Sequence, residues 1–262
     1  MAFNVSDRTF EIYLNSRYDR QTNDSVSKWT TEFPQIPLDP NKNYQVALSS
    51  AQIPNICPQF HKDDTHFKIG DGVDVFDVYY DNSKIFSNIP DMLAYVSSLM
   101  NDQISGVVVS QDIDSRKTKI QNNTGSDLIL NFANSGSENF FNKLGFEYPT
   151  NTIIANTTSI ISSYYPSLIG TARFYIVCNN IKNNSYARKT NSNNSWPILK
   201  GLNANVGFGS YLNFQSNNEL YYHDLNVSNS LNSLSFVIID DRMREIDLEG
   251  GSVMMTLFVR EV

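Results

Sequence analysis

Leu234-Ser-Phe-Val-Ile-Ile239 and Val253-Met-Met-Thr-Leu-Phe-Val259 are two apolar runs, separated by the charged, glycine-ended stretch DDRMREIDLEGG at 240–251. Runs this short, rich in β-branched and aromatic residues, suit strands and not helices. The spacing predicts a closing β-hairpin whose last strand is paired and buried, so this end of the sequence contributes to a core. A sheet protein follows, and the rest of the sequence agrees.

Upstream, residues 172–181 (ARFYIVCNNI) are nearly continuously apolar, which predicts a central strand covered on both faces. Phe10, Ile12 and Leu14 alternate with Glu11 and Tyr13; Trp29, Thr31 and Phe33 alternate again; and 44–53 (YQVALSSAQI) sets Tyr44, Val46 and Leu48 on one face. Pro34, Pro37 and Pro40 mark an extended connection between these strands, and Pro54 and Pro58 stop the third, because proline cannot donate to a ladder. Residues 73–80 and 127–132 read as further strands, and 107–112 with 118–121 as a hairpin about the polar DSRK. One helix is predicted, over 90–104, where Leu93, Val96 and Met100 share a face with Leu99 beside them. FFNKLGF at 140–146 reads as an apolar knot with a turn glycine, and the Asn-rich 183–195 as a loop. After Trp196, the segments ILKGL, SYLNFQ and LYYHDLNV read as short strands or extended segments.

Many short strands, frequent turn residues and one helix predict an all-β fold, an antiparallel β-sandwich of jelly-roll type with one short helix and long loops or an insertion. The expected organisation is a single domain over 1–262, with an N-terminal arm of about residues 1–9 and room for an insertion within about 82–148.

Charged residues are 18% of the chain, below the ~25% of an average soluble protein. Asn and Ser supply the missing polarity. A net charge of -7 offers no field for a polyanion, and the basic residues are scattered apart from Arg116-Lys117-Thr118-Lys119, which argues against nucleic-acid binding. No apolar stretch approaches the roughly 18 residues of a membrane span, and MAFNVSDRTFEIYL lacks the layout of a secretory signal. Cys57 and Cys178 are far apart and outside any Cys-x-x-Cys pair, so they are expected as reduced, buried thiols.

The chain holds three histidines, His61, His66 and His223, so metal or acid-base chemistry has few places to arise. Cys57, His61, Asp63, Asp64 and His66 cluster in CPQFHKDDTH, but at no familiar zinc spacing, and a solvated loop explains them. His223-Asp224 is half of a triad without a Gly-x-Ser-x-Gly nucleophile, and strand-edge packing is the expected role. Asp112-x-Asp114 lacks the remaining calcium ligands and reads as a turn, as does Asp240-Asp241. GLNANVGFG at 201–209 carries neither a dinucleotide nor a Walker fingerprint. No catalytic residue, metal or cofactor is therefore expected. The sequons at Asn122, Asn156, Asn183, Asn193 and Asn226 are what an Asn- and Ser-rich chain produces by chance. Aromatics at strand ends and loops are the interface candidates: Trp29, Tyr164, Tyr165, Trp196, Tyr221 and Tyr222.

In order, FEIYLNS, WTTEF, YQVALSSAQIPN, the helix IPDMLAYVSSLMND, the hairpin VVVSQDIDSRKTKIQN, DLILNF, FFNKLGF, SLIGTARFYIVCNNI and the closing SLSFVIIDDRMREIDLEGGSVMMTLFVREV span nearly the whole chain. This series resembles the single-jelly-roll penton, or minor capsid, proteins of virophages, polinton-like viruses and related large icosahedral DNA viruses. The resemblance implies a structural protein of the virion, forming homopentamers at capsid fivefold vertices and contacting major capsid protein trimers, with other minor capsid proteins or a vertex fibre as further partners. It carries over no catalytic residue. A different class of function for the same sandwich is a carbohydrate- or receptor-binding module stacking sugars on Trp29, Trp196 or the paired tyrosines; a hydrolase built on His223 and Asp224 ranks last.

Overall fold

The structure is a computed structural model that describes residues 9–21, 24–56, 59–61, 64–81, 83–132, 135–147, 151–168, 170–182, 186–188, 195–207, 209–217, 219–227, 230–248 and 250–262. Strands β1 (Thr9–Asn15), β2 (Lys28–Pro37) and β3 (Tyr44–Pro54) come first. Next are β4 (His66–Gly70), β5 (Val75–Tyr79), helix α1 (Ile89–Gln103), β6 (Val107–Gln111), β7 (Thr118–Asn122), β8 (Leu128–Asn131), helix α2 (Ser135–Lys143), β9 (Thr152–Ile154) and β10 (Ser159–Ile161). The series closes with β11 (Arg173–Cys178), β12 (Tyr186–Arg188), β13 (Ser195–Asn203), β14 (Tyr211–Gln215), β15 (His223–Asp224), β16 (Ser230–Ile239) and β17 (Met254–Glu261). These elements form two compact units, one from Met1–Cys57 together with Thr171–Val262 and the other from Pro58–Gly170. The second unit interrupts the first in sequence and contains the whole range in which an insertion was expected.

The discontinuous unit is an antiparallel β-sandwich, as the short alternating strands predicted. One sheet has the order β1-β17-β3-β14, with β15 also on β3; the other has the order β12-β13-β11-β16-β2. Period-two alternation sends Ile12, Leu14, Val46, Leu48, Leu257 and Val259 from the first sheet into one core with Phe174, Ile176, Leu234, Phe236 and Ile238 from the second. Each such side chain contributes about 1.5–3 kcal/mol on full burial. Strand β11 is central, as expected: Phe174, Ile176 and Cys178 face the shared core, while Val177 joins Val237 and Ile239 on the opposite face beneath Trp196, Ile198 and Met243.

The closing runs do not form the expected hairpin. β16 pairs with β11 and β2, whereas β17 lies between β1 and β3 in the other sheet. The connector between them is far longer than a hairpin turn of two to five residues, and it carries its own apolar anchors. Ile246, Leu248 and Val253 are buried in the shared core, so the chain crosses from one sheet to the other. Asp240 fixes the start of the crossing: it accepts from the Arg242 and Arg244 backbone N–H groups and pairs with the Arg244 guanidinium at 2.9 Å. It is buried at 2% exposure, and not the solvated turn carboxylate that the sequence suggested.

Other differences have equally local causes. The proline-marked segment is itself strand, because β2 is an edge strand and Pro34 and Pro37 need no N–H there. Residues 66–70, which begin at the end of the expected CPQFHKDDTH loop and carry no predicted element, form β4 with Phe67 and Ile69 buried alternately. The apolar knot belongs to a second helix, α2, which buries Phe140 and Phe141 and is followed by Gly145 at φ +90°. A Cβ at Gly145 would fall 2.2 Å from the Tyr164 carbonyl oxygen, so the position demands glycine.

The unit Pro58–Gly170 has its own core. Its strands form the sheets β5-β4-β8-β9 and β10-β7-β6. Helix α1 starts at Asn88, whose side chain caps the Asp91 N–H, and buries Met92, Leu93, Val96 and Met100. Phe67 and Phe140 stack at 4.0 Å in the middle of this core, with Phe60 and Phe141 around them.

Candidate functional site

The six aromatic interface candidates fall into three environments. Trp29, at 1% exposure, lies in the sandwich core with its ring 5.3 Å from Phe236. Trp196 is half-buried and covers Val177, Val237 and Ile239. Tyr222 is half-buried beneath the Arg260 guanidinium, 3.6 Å from its ring centroid, and Arg260 is held in turn by two hydrogen bonds to Gln45 Oε1. Tyr164, Tyr165 and Tyr221 project into solvent at 59–66% exposure. The Tyr164 backbone is fixed, donating to the Gly145 carbonyl and accepting from Ser162 Oγ.

The residues weighed for catalysis do not converge. The His223 ring is buried on β15, and its Nε2 lies 3.0 Å from the Leu199 carbonyl oxygen. Asp224 instead accepts from Gln45 Nε2 at 2.8 Å, so the adjacent carboxylate serves another partner. Burial lowers the His223 pKa below its ordinary value, opposed by the hydrogen bond to Leu199. Burial also pushes the Cys178 thiol up to about 12, which leaves it without thiolate character. His66 Nε2 meets Asp77 Oδ1 at 2.5 Å, beside Lys68 at 3.2 Å and stacked on Tyr79. Among the described residues no three His, Cys, Asp or Glu side chains are placed to hold a metal. Cys57 and Asp63 lie outside the described residues. Asp112 turns the β6–β7 hairpin by accepting from the Ser115 N–H and hydroxyl, and the Asn122 side chain is spent on the Ser126 and Ile154 carbonyls.

A site that sequence reasoning missed lies on the outer face of the sheet β1-β17-β3-β14. It is a groove of about 910 Å³. Register aligns Tyr13, Thr256, Ser50 and Gln215 in one cross-strand row, and Asn15, Met254, Gln52 and Asn213 in the next. In the first row two short hydroxyl side chains sit between two long ones, which leaves a depression over Thr256 and Ser50. Asp19 closes one end, its carboxylate accepting from the Asn15 N–H at 2.5 Å. The polar partners of each alternating strand were visible in sequence; their alignment across segments some 200 residues apart was not.

No protein-family model matches the chain, and no curated protein matches it significantly. Comparison with solved structures does find a likeness. The crystal structure of the mavirus penton protein superposes with a TM-score of 0.52 at 13% identity, over 97% of this chain and 100% of that one. This chain has a penton-like fold. A chain from the Sputnik virophage structure aligns over 97% of both chains at 13% identity with a TM-score of 0.46. The likeness to the mavirus penton protein covers 97% of this chain and so spans both compact units. Among the described residues no helix is long and apolar enough to cross a membrane.

Proposed function

We propose that this protein is a structural capsid protein, a penton that forms homopentamers at the fivefold vertices of an icosahedral DNA virus capsid and contacts the surrounding major capsid protein trimers. The end-to-end likeness to the mavirus penton protein carries this reading. Its place is the virion, reached by assembly in the host cell without a secretory route. It works by shape and not by turnover. The domain reading is one jelly roll with a short N-terminal arm, interrupted by the unit Pro58–Gly170.

Closing a ring requires two different, complementary faces on each protomer. Exposed tyrosines suit such contacts because they bury a large area with little rotamer freedom lost. Tyr164 and Tyr165 on one unit and Tyr221 on the other are the residues offered for this role. Mass photometry of the purified protein should show a pentamer, and negative-stain images a fivefold ring. Monomers alone at high concentration, together with absence of the protein from purified particles, would overturn the proposal.

A further inference from the structure

The groove on the outer face of β1-β17-β3-β14 has a distinctive chemistry. Its polar groups are carboxamides and hydroxyls: Asn15, Gln52, Asn213 and Gln215 around Ser50 and Thr256. Carboxamides donate and accept from one planar group, which matches the paired hydroxyls of a sugar ring. Among the described residues the ionisable side chains in the lining are Asp19 and the Tyr13 phenol, and no lysine or arginine takes part. A polyanion would meet a carboxylate there and no cation, so acidic glycans, phosphate and nucleic acid do not fit.

Tyr13 supplies the second element. At 72% exposure it stands at the edge of the groove, and its hydroxyl donates to Glu11, which holds the ring beside the Thr256–Ser50 floor. An aromatic face there can take the C–H face of a sugar while the carboxamides bond its hydroxyls. The tryptophans expected to stack on sugar are used elsewhere, Trp29 in the core and Trp196 over Val177. Four adjacent strands cover three inter-strand spacings, about 14 Å, which suits a short oligosaccharide better than one ring.

We propose that this groove is a binding site for a neutral oligosaccharide, with Tyr13 as the stacking platform and Gln52, Asn213 and Gln215 as the hydroxyl-reading groups. The site does not depend on pentamer formation, so the two readings fail separately.

The test is titration of the full chain with neutral tetrasaccharides (chitotetraose, cellotetraose, maltotetraose and mannotetraose) and with two acidic probes, a heparin tetrasaccharide and sialyllactose, followed by calorimetry and NMR. At least one neutral probe should bind and neither acidic probe should. Tyr13→Ala and Gln52→Ala should each weaken that binding roughly tenfold or more. Tyr79→Ala, which removes an exposed tyrosine from the other unit, should leave it unchanged. Both groove positions are exposed, and thermal melts of the variants should overlay the parent. No response to any neutral probe at millimolar concentration, equal binding of the acidic probes, or binding that survives both groove substitutions would each overturn the proposal. Mass photometry of the same samples reads the oligomer independently.

Discussion

At His223 a proton would have to enter a site 2% exposed, next to the Lys200 ammonium, while the Asp224 carboxylate is engaged by Gln45. The folded protein therefore holds the ring neutral to a lower pH than the unfolded chain does, where the ordinary value is 6.5. Between those two values the unfolded state binds more protons, so stability is full above the unfolded value and is lost as pH falls toward the folded one. Chemical denaturation midpoints should accordingly drop between pH 7.5 and pH 5, and should drop less in His223→Gln. That variant should cost about 0.5–1.5 kcal/mol at neutral pH through the altered bond to Leu199. Equal acid sensitivity in parent and variant would assign the effect to other groups. The sequence marked His223 as packed at a strand edge, and the burial agrees; the turn of Asp224 toward Gln45 was not legible, because it depends on β15 pairing with β3 across some 180 residues.

Strands and their periodicity were easy to see, and their partners were not. β1, β3, α1, the β6–β7 hairpin and β11 lie close to their predicted positions because each satisfies its own local pattern. The β16–β17 connection was misjudged because apolar runs flanking a polar stretch look the same whether the chain turns back or crosses a sandwich; only the burial of Ile246 and Leu248 separates the two. Similarly, α2 was hidden by its apolar C-terminal half, whose two adjacent phenylalanines mimic a strand. Truncation after Gly251 removes β17 from between β1 and β3, together with Val253. Val253, Met255, Leu257 and Val259 are all buried, and at about 1.5–3 kcal/mol each their loss is comparable to the whole stability of an ordinary domain. The truncated chain should lose the circular-dichroism strand signal and the cooperative unfolding of the discontinuous sandwich, keeping at most those of residues 58–170, and should be unable to assemble. A folded, assembling product would contradict the central place of β17.

For the molecule as a whole, the all-β sandwich was legible, while the division into two compact units needed contacts that no local pattern encodes. The interrupting unit has a self-contained aromatic core about Phe60, Phe67, Phe140 and Phe141. Residues 58–170 expressed alone should therefore unfold cooperatively in urea with dispersed amide resonances; a gradual, featureless transition would show that the remainder of the chain is needed for its fold. The discontinuity of the other unit has a consequence for biosynthesis. β1 and β3 are made early, yet the strand that fits between them follows β3 by about 200 residues. At roughly 5–20 residues per second, the ribosome leaves that slot vacant for some 10–40 s. During this interval the nascent sheet has two unpaired backbone ladders, while residues 58–170 are already free to fold. A chain built this way completes its sandwich only when β17 has left the ribosome, so translation itself times when the finished surface exists.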